Sequence, residues 1–182
     1  MNEKDFLLLL SKQGGYRRLF FSTKLILILM TKIYLAVSDW FRVGFYRFQF
    51  LRAGKNIAIS RNTSFGGIYN IVLEETVQIN HGCNLYGDYG IFIGKNTKLS
   101  PYVQIYSANY VVKKGVIVGS LGTEGKPVLI GNNVWIGSGS VILPGVKIGD
   151  GSIIGALSLV KTNIPKNQFW AGNPARFIRK IK

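Results

Sequence analysis

Histidine and cysteine are almost missing from this 182-residue chain, which holds one of each, His81 and Cys83. A single cysteine excludes a disulfide framework and a cysteine-ligated metal cluster. With no second histidine, His81 has no companion for a histidine-centred metal site, and no metal is expected. Acids are scarce too: eight Asp and Glu against 23 Lys and Arg leave a formal charge of +15. That balance points to a polyanionic partner, either an anionic membrane surface or a phosphorylated ligand. Nucleic acid is set aside, because no RNP-type or helix-turn-helix signal accompanies the charge. Proline is absent from Met1 to Arg52, so helix is permitted throughout that stretch. No apolar run is long enough to span a bilayer: Leu25 to Met30 continues into Ile33 to Val37 only across Thr31 and Lys32, short of the roughly 20 residues required. No small-residue cleavage site follows it, as a secretory signal would need.

What the chain does have is a six-residue period. Aliphatic residues recur at Ile130, Ile136, Ile142, Ile148, Ile154 and Val160, and the fourth place after each of the first five is small or branched: Val134, Ser140, Val146, Ser152 and Ser158. Helices repeat near 3.6 and surface strands near 2.0. A period of six means one short strand plus a corner, a unit that buries its aliphatic residue only by stacking on its neighbours. Earlier repeats run through Ile59, Phe65, Leu73, Ile79, Leu85, Ile93, Leu99 and Ile105. Two of their steps are eight residues long, so these turns take twenty residues against eighteen later, and Phe65, Leu85 and Ile105 should stack, as should Leu73 and Ile93. The same register sets His81 over Pro101 and Tyr110 over Gly90. Cys83, followed by Leu85 in the pattern, reads as a small core residue rather than a nucleophile.

The expected organisation is therefore an all-β solenoid over residues 53–163, beginning its repeats at Ile57, with a basic, aromatic helical segment over 1–52 and a tail over 164–182. Tyr106 to Pro127 breaks the period with glycines and lysines, as an excursion does rather than a strand, and loops of that length in a compact solenoid tend to be functional. The N-terminal segment carries Arg17, Arg18, Lys24 and Lys32 around its apolar run, then Trp40, Phe41, Phe45 and Phe48 with Arg42 and Arg47 at helical spacing. Two readings stand: an interfacial helix on anionic lipid, or helices that cap the first coil or pack between subunits.

The stretch IGNNVWIGSGSVILPGVKIGDGSIIGALSLVKTNIPKNQFWAGNPARFIRKI, with its AGNPAR at Ala171 to Arg176, resembles the hexapeptide-repeat acyltransferases, and in particular their galactoside-, maltose- and polysaccharide-modifying O-acetyltransferases. The resemblance implies a left-handed parallel β-helix, usually a homotrimer, with acetyl-CoA held in clefts between subunits. The left hand comes from the family alone, since parallel crossovers are otherwise right-handed. It implies donor contacts at Trp135, Ser138 and Ala156 and at Lys161, Thr162, Arg176 and Arg179, the basic ones suited to an anionic 3′-phosphorylated ADP. Lys161-Thr162 reverses the commoner Thr-Lys order. On a plainer reading, Trp135 and Ala156 are packing residues and the basic side chains are solvated.

Acyl transfer needs a base for the acceptor's proton and donors for the oxyanion. Similar enzymes place a histidine at the start of the excursion, but here Ser107, Ala108, Asn109 and Tyr110 stand there, and a phenol whose ordinary pKa is near 10 is a poor base. Asn80 and Asp88 match the asparagine and aspartate that face the acceptor sugar in galactoside-type enzymes, an amide and a carboxylate being apt for hydroxyls. Both also suit corner turns. His81 is a corner residue, a relocated base or, least fittingly, a metal ligand; it could meet Tyr110 only across a trimer interface. The expectation is an acetyltransferase modifying a sugar or lipid-linked glycan at the cytoplasmic face of a membrane, with catalytic His81 and Tyr110 and substrate contacts at Asn80, Asp88 and Asn109. The alternative is a catalytically silent scaffold that binds acyl-CoA or a partner.

Overall fold

The computed structural model describes residues 26, 28–31, 37 and 41–182. It divides into two compact units, Met1–Arg42 and Val43–Lys182. In the first, residues 26, 28–31, 37 and 41 are helical, with Ile26, Leu29, Met30 and Phe41 exposed. Arg17, Arg18, Lys24, Lys32 and Trp40 lie outside the described residues. Among those described, no helix is long and apolar enough to cross a membrane.

The second unit is a left-handed parallel β-helix with three faces. The first face stacks Arg52–Ala53, Ile71–Leu73, Ile91–Ile93, Val128–Ile130 and Lys147–Ile148. The second stacks Ala58–Ile59, Gln78–Ile79, Lys98–Leu99, Trp135–Ile136, Ile153–Ile154 and Gln168–Ala171, with Arg176–Lys180 returning antiparallel at its end. The third stacks Ser64–Gly66, Asn84–Tyr86, Gln104–Tyr106, Val141–Ile142 and Leu159–Val160. Most strands bury one or two aliphatic residues inward, and Ile79, Leu99, Ile136 and Ile154 form a column in which none exceeds 1% exposure. The twenty- and eighteen-residue registers hold, as Phe65 pairs Leu85, Leu85 pairs Ile105, Leu73 pairs Ile93, and Ile136 pairs Ile154.

The small fourth position of the repeat has a specific cause. Ser140 Oγ donates to Gly155 O at 2.8 Å, Ser152 Oγ to Pro165 O at 2.9 Å and Ser158 Oγ to Gly155 O at 2.7 Å, so buried hydroxyls satisfy corner carbonyls that no strand can reach. Between the first and second faces, Asn56, Asn96, Asn133 and Asn167 adopt φ of 53–56°, a left-handed corner that asparagine tolerates.

Four expectations change. Sheet pairing starts at Arg52, which aligns with Val72, five residues before Ile57. Val43, Tyr46 and Phe50 pack on the core, and the Phe50 and Phe65 rings meet edge-on at 5.1 Å, so the last residues assigned to the N-terminal segment close the open end of the first coil. The tail does not leave the solenoid at Asn163: Ile164 bridges Ile148, and Phe169 and Trp170 pair with Ile153 and Ile154 before the chain turns back. The excursion contains strands after all, an antiparallel ribbon of Ala108–Tyr110 with Thr123–Gly125. That ribbon lifts Tyr110 off the coil, and Val128 N, not Tyr110, reaches Gly90 O, at 3.1 Å.

Candidate active site

The corner between the second and third faces gathers one set of residues. Trp135 projects outward from its strand, 53% exposed, and its indole Nε1 donates to Ser100 Oγ at 2.9 Å. With Ser138, Ala156 and Phe169 it lines a cleft of about 230 Å³. Ser138 and Ala156 are brought together because consecutive coils are eighteen residues apart, with Leu157 N bonded to Ser138 O at 2.8 Å. Arg179 lies over the Phe169 ring at 5.9 Å, and Arg176 shares its exposed strand. Asn80 and His81 occupy this same corner two coils below. Asn80 Nδ2 donates to Leu99 O at 2.8 Å, which leaves the amide oxygen as its remaining acceptor. His81 is exposed, and its ring meets Tyr102 edge-on at 5.4 Å. Tyr102 holds a φ of 62°, a left-handed conformation costly for a bulky side chain, which fixes the ring against the imidazole.

A second set forms at the corner between the third and first faces. Asp88, Asn109 and Tyr110 line a cavity of 410 Å³ with Tyr86, Tyr106 and Thr123. The Tyr86 and Tyr106 rings stack at 5.5 Å and 14°. The ribbon's base is tied down by buried Ser107, whose Oγ donates to Tyr86 O at 3.0 Å and accepts from Tyr89 N at 2.9 Å, and by Tyr89 Oη donating to Thr123 O at 2.5 Å. Gly67, at φ 54°, sits so close that a Cβ there would lie 2.8 Å from Asp88 Oδ1. Lys161 and Thr162 follow the last third-face strand, Leu159–Val160, at this corner, both exposed.

One chain thus carries two separate sets of candidate residues. Trp135, Ser138, Ala156, Arg176, Arg179, Asn80 and His81 lie on one side of the third face, and Asp88, Asn109, Tyr110, Lys161 and Thr162 lie on the other. Sequence reasoning missed Ser100, Phe169, Tyr102, Tyr86 and Tyr106. A signal existed for the stacked pair, since Tyr86 and Tyr106 are twenty residues apart in the early register. Buried Cys83, whose Sγ donates to Ser100 O at 3.2 Å, has its thiol pushed above its ordinary value by burial and is no nucleophile. Among the described residues no group of three or more His, Cys, Asp and Glu could hold a metal ion.

A coiled prism with clefts at its corners is the architecture of a repeat transferase, and residues 127–162 match the family model "Bacterial transferase hexapeptide (six repeats)". The chain is 37% identical over 136 residues to the galactoside O-acetyltransferase of Escherichia coli (strain K12), covering 72% of this chain and 64% of that protein. It therefore spans less than two thirds of that relative's length. Among solved structures, a maltose O-acetyltransferase from Clostridium difficile 630 aligns with a TM-score of 0.74 and 40% identity, covering 78% of this chain and 75% of that one. A galactoside acetyltransferase in complex with coenzyme A aligns with a TM-score of 0.71 and 35% identity, covering 78% and 70%. The chain belongs to the hexapeptide-repeat acetyltransferases.

Proposed function

We propose that this protein is an acetyl-CoA-dependent O-acetyltransferase acting on a sugar hydroxyl of a surface-polysaccharide precursor. The observation that carries the reading is the separation of the two half-sites on opposite edges of one face. A donor cleft on one edge and a polar, tyrosine-lined cavity on the other make a complete site only when the edge of one copy meets the opposite edge of the next. A closed ring of three triangular prisms does this at every interface, which supports a homotrimer.

In the joined site the roles follow from the side chains. Trp135 and Phe169 offer aromatic surface to the donor, and Arg176, Arg179 and, from the opposite edge, Lys161 and Thr162 suit its phosphates. Asp88, Asn109 and Asn80 hold acceptor hydroxyls. As the hydroxyl oxygen attacks the thioester carbonyl, the His81 imidazole accepts its proton, and on collapse of the tetrahedral intermediate it returns that proton to the sulfur, so coenzyme A leaves as the thiol. Tyr110, where a histidine is implied by the family pattern, donates a hydrogen bond to the acceptor rather than taking its proton. The tyrosine at this place also supports a second reading, a silent scaffold that binds acyl-CoA without turnover.

The working place is the cytoplasmic face of a membrane that holds the lipid-linked glycan. Phe45, Phe48 and Leu51 support this, with Phe48 93% exposed next to Arg47, while their neighbours Tyr46 and Phe50 face the core. Acceptor-dependent thiol release from acetyl-CoA, measured with soluble and lipid-linked glycans, tests the enzyme. Coenzyme A binding with no release on any acceptor leaves the scaffold, and a Phe45→Glu/Phe48→Glu chain that sediments with vesicles as the wild type does removes the N-terminal membrane contact.

A further inference from the structure

The excursion carries a feature that acyl transfer does not use. Its tip, residues 111–122, exposes Val112 (73%), Ile117 (83%), Val118 (63%) and Leu121, with Lys113 and Lys114 between them and no acidic residue. A loop that only needs to be soluble does not gather aliphatic side chains in this way. The tip is also built. Val116 N donates to Lys113 O at 3.1 Å, Val111 N to Gly122 O at 3.1 Å, and Ile117 O accepts from both Ser120 N at 3.1 Å and Ser120 Oγ at 2.7 Å. The apex therefore closes the hydrogen bonds of its own turns, which lowers the cost of leaving water.

We infer that this tip docks on an anionic lipid bilayer, Ile117 and Val118 entering the headgroup–acyl boundary while Lys113 and Lys114 meet lipid phosphates. Charge complementarity chooses the occupant: the tip is purely basic, and the whole chain carries +15. The base of the same ribbon supplies Asn109, Tyr110 and Thr123 to the cavity that contains Asp88, so docking the tip would hold that cavity at the bilayer surface. A glycan attached to a lipid would then be delivered where its hydroxyls are read. This contact is separate from the N-terminal one and stands whether or not the chain transfers acetyl groups.

The test uses the full chain with Ile117→Cys carrying an environment-sensitive NBD label; Cys83 is fully buried and stays unlabelled in the native state. On vesicles of phosphatidylcholine and phosphatidylglycerol the emission should shift to the blue, gain intensity and be quenched by a nitroxide on the lipid acyl chains. Pure phosphatidylcholine should give a weaker response. Lys113→Glu and Lys114→Glu in the labelled chain should each weaken the response by more than about fivefold, the loss expected for one positive charge alone. A spectrum unchanged by anionic vesicles overturns the proposal. So does one already blue-shifted without lipid in a concentration-dependent way, since the tip would then be covered by another copy. The same label at Val118→Cys guards against a single poorly behaved variant, and thiol release on a soluble acceptor, read separately, shows whether the enzymatic reading stands.

Discussion

The two corners that flank the third face were made in opposite ways. The corner proposed for the donor is a product of the period: Ser138 and Ala156 are equivalent places in successive eighteen-residue coils, so the cleft they share with Trp135 exists because the repeat is regular. The corner proposed for the acceptor is a product of its interruption, where the ribbon lifts Asn109 and Tyr110 off the coil to share a cavity with Asp88. A periodic backbone can repeat a binding surface, but it repeats the same one. A group needed once must come from a place where the period fails, and Tyr110, at the position where the family pattern implies a histidine, stands on such a ribbon.

The sharpest way to break this comparison is to ask which corner supplies the base. His81→Ala should lower kcat by about 10²–10⁴-fold, the usual loss of a general base, with acetyl-CoA affinity retained. Tyr110→Phe should cost at most about tenfold, the scale of one lost hydrogen bond. Tyr110→His should raise kcat and make it less sensitive to His81→Ala. If His81→Ala turns over normally, the base does not lie at the donor corner and the assignment fails.

The next effect separates donor from acceptor. Trp135→Ala removes an aromatic surface that is 53% exposed and bonded through Nε1 to Ser100, and should weaken acetyl-CoA binding by at least about tenfold in calorimetry. It should leave acceptor affinity alone. Gly67→Ala should do the reverse. A Cβ there meets Asp88 N at 2.7 Å and Asp88 Oδ1 at 2.8 Å and must also hold φ 54°, which alone costs about 1–2 kcal/mol, so Asp88 is displaced. A higher acceptor KM with unchanged acetyl-CoA affinity is the expected result; a change in both would mean that the two corners are not independent.

Much of the fold was legible because the period is a direct consequence of stacking. Ile136 over Ile154 and Leu85 over Ile105 follow from counting, and the structure keeps that count through both coil lengths. The ends were less legible, because capping residues obey no period. Val43, Tyr46 and Phe50 lie in the segment for which an interfacial and a capping reading both stood, and they close the first coil, while Ile164 and Trp170 continue the solenoid past Asn163, where it was expected to end. Trp135, Ser138 and Ala156, proposed for the donor, could be named from a motif, and they line one cleft. Their partners Ser100 and Phe169 could not, since a hydrogen bond from Trp135 to a serine one long coil earlier depends on how many residues the excursion removes from the stack. The ribbon escaped notice for a similar reason: its strands, Ala108–Tyr110 and Thr123–Gly125, are polar and short, and pair with each other rather than with the periodic core.

The smallest effect lies beneath the donor corner. Cys83 Sγ donates to Ser100 O, and Ser100 Oγ in turn accepts from Trp135, so the neutral thiol supports the residue that orients the indole. Burial raises the pKa of this thiol above its ordinary value of 9.0, outweighing backbone hydrogen bonds that act the other way. The native state therefore holds the proton at a pH where the unfolded chain has begun to lose it. The stabilisation from keeping the thiol neutral is complete below 9.0 and falls as pH rises above that value. Urea unfolding of the wild type and of Cys83→Ala, followed across this range, should show a difference that is constant at neutral pH and shifts against the wild type in alkali. Below 9.0 the native thiol should also resist alkylation far more than the unfolded one. A difference that stays flat through the alkaline range would mean that Cys83 reaches water, and that the donor corner is less tightly packed than its column of aliphatic residues implies.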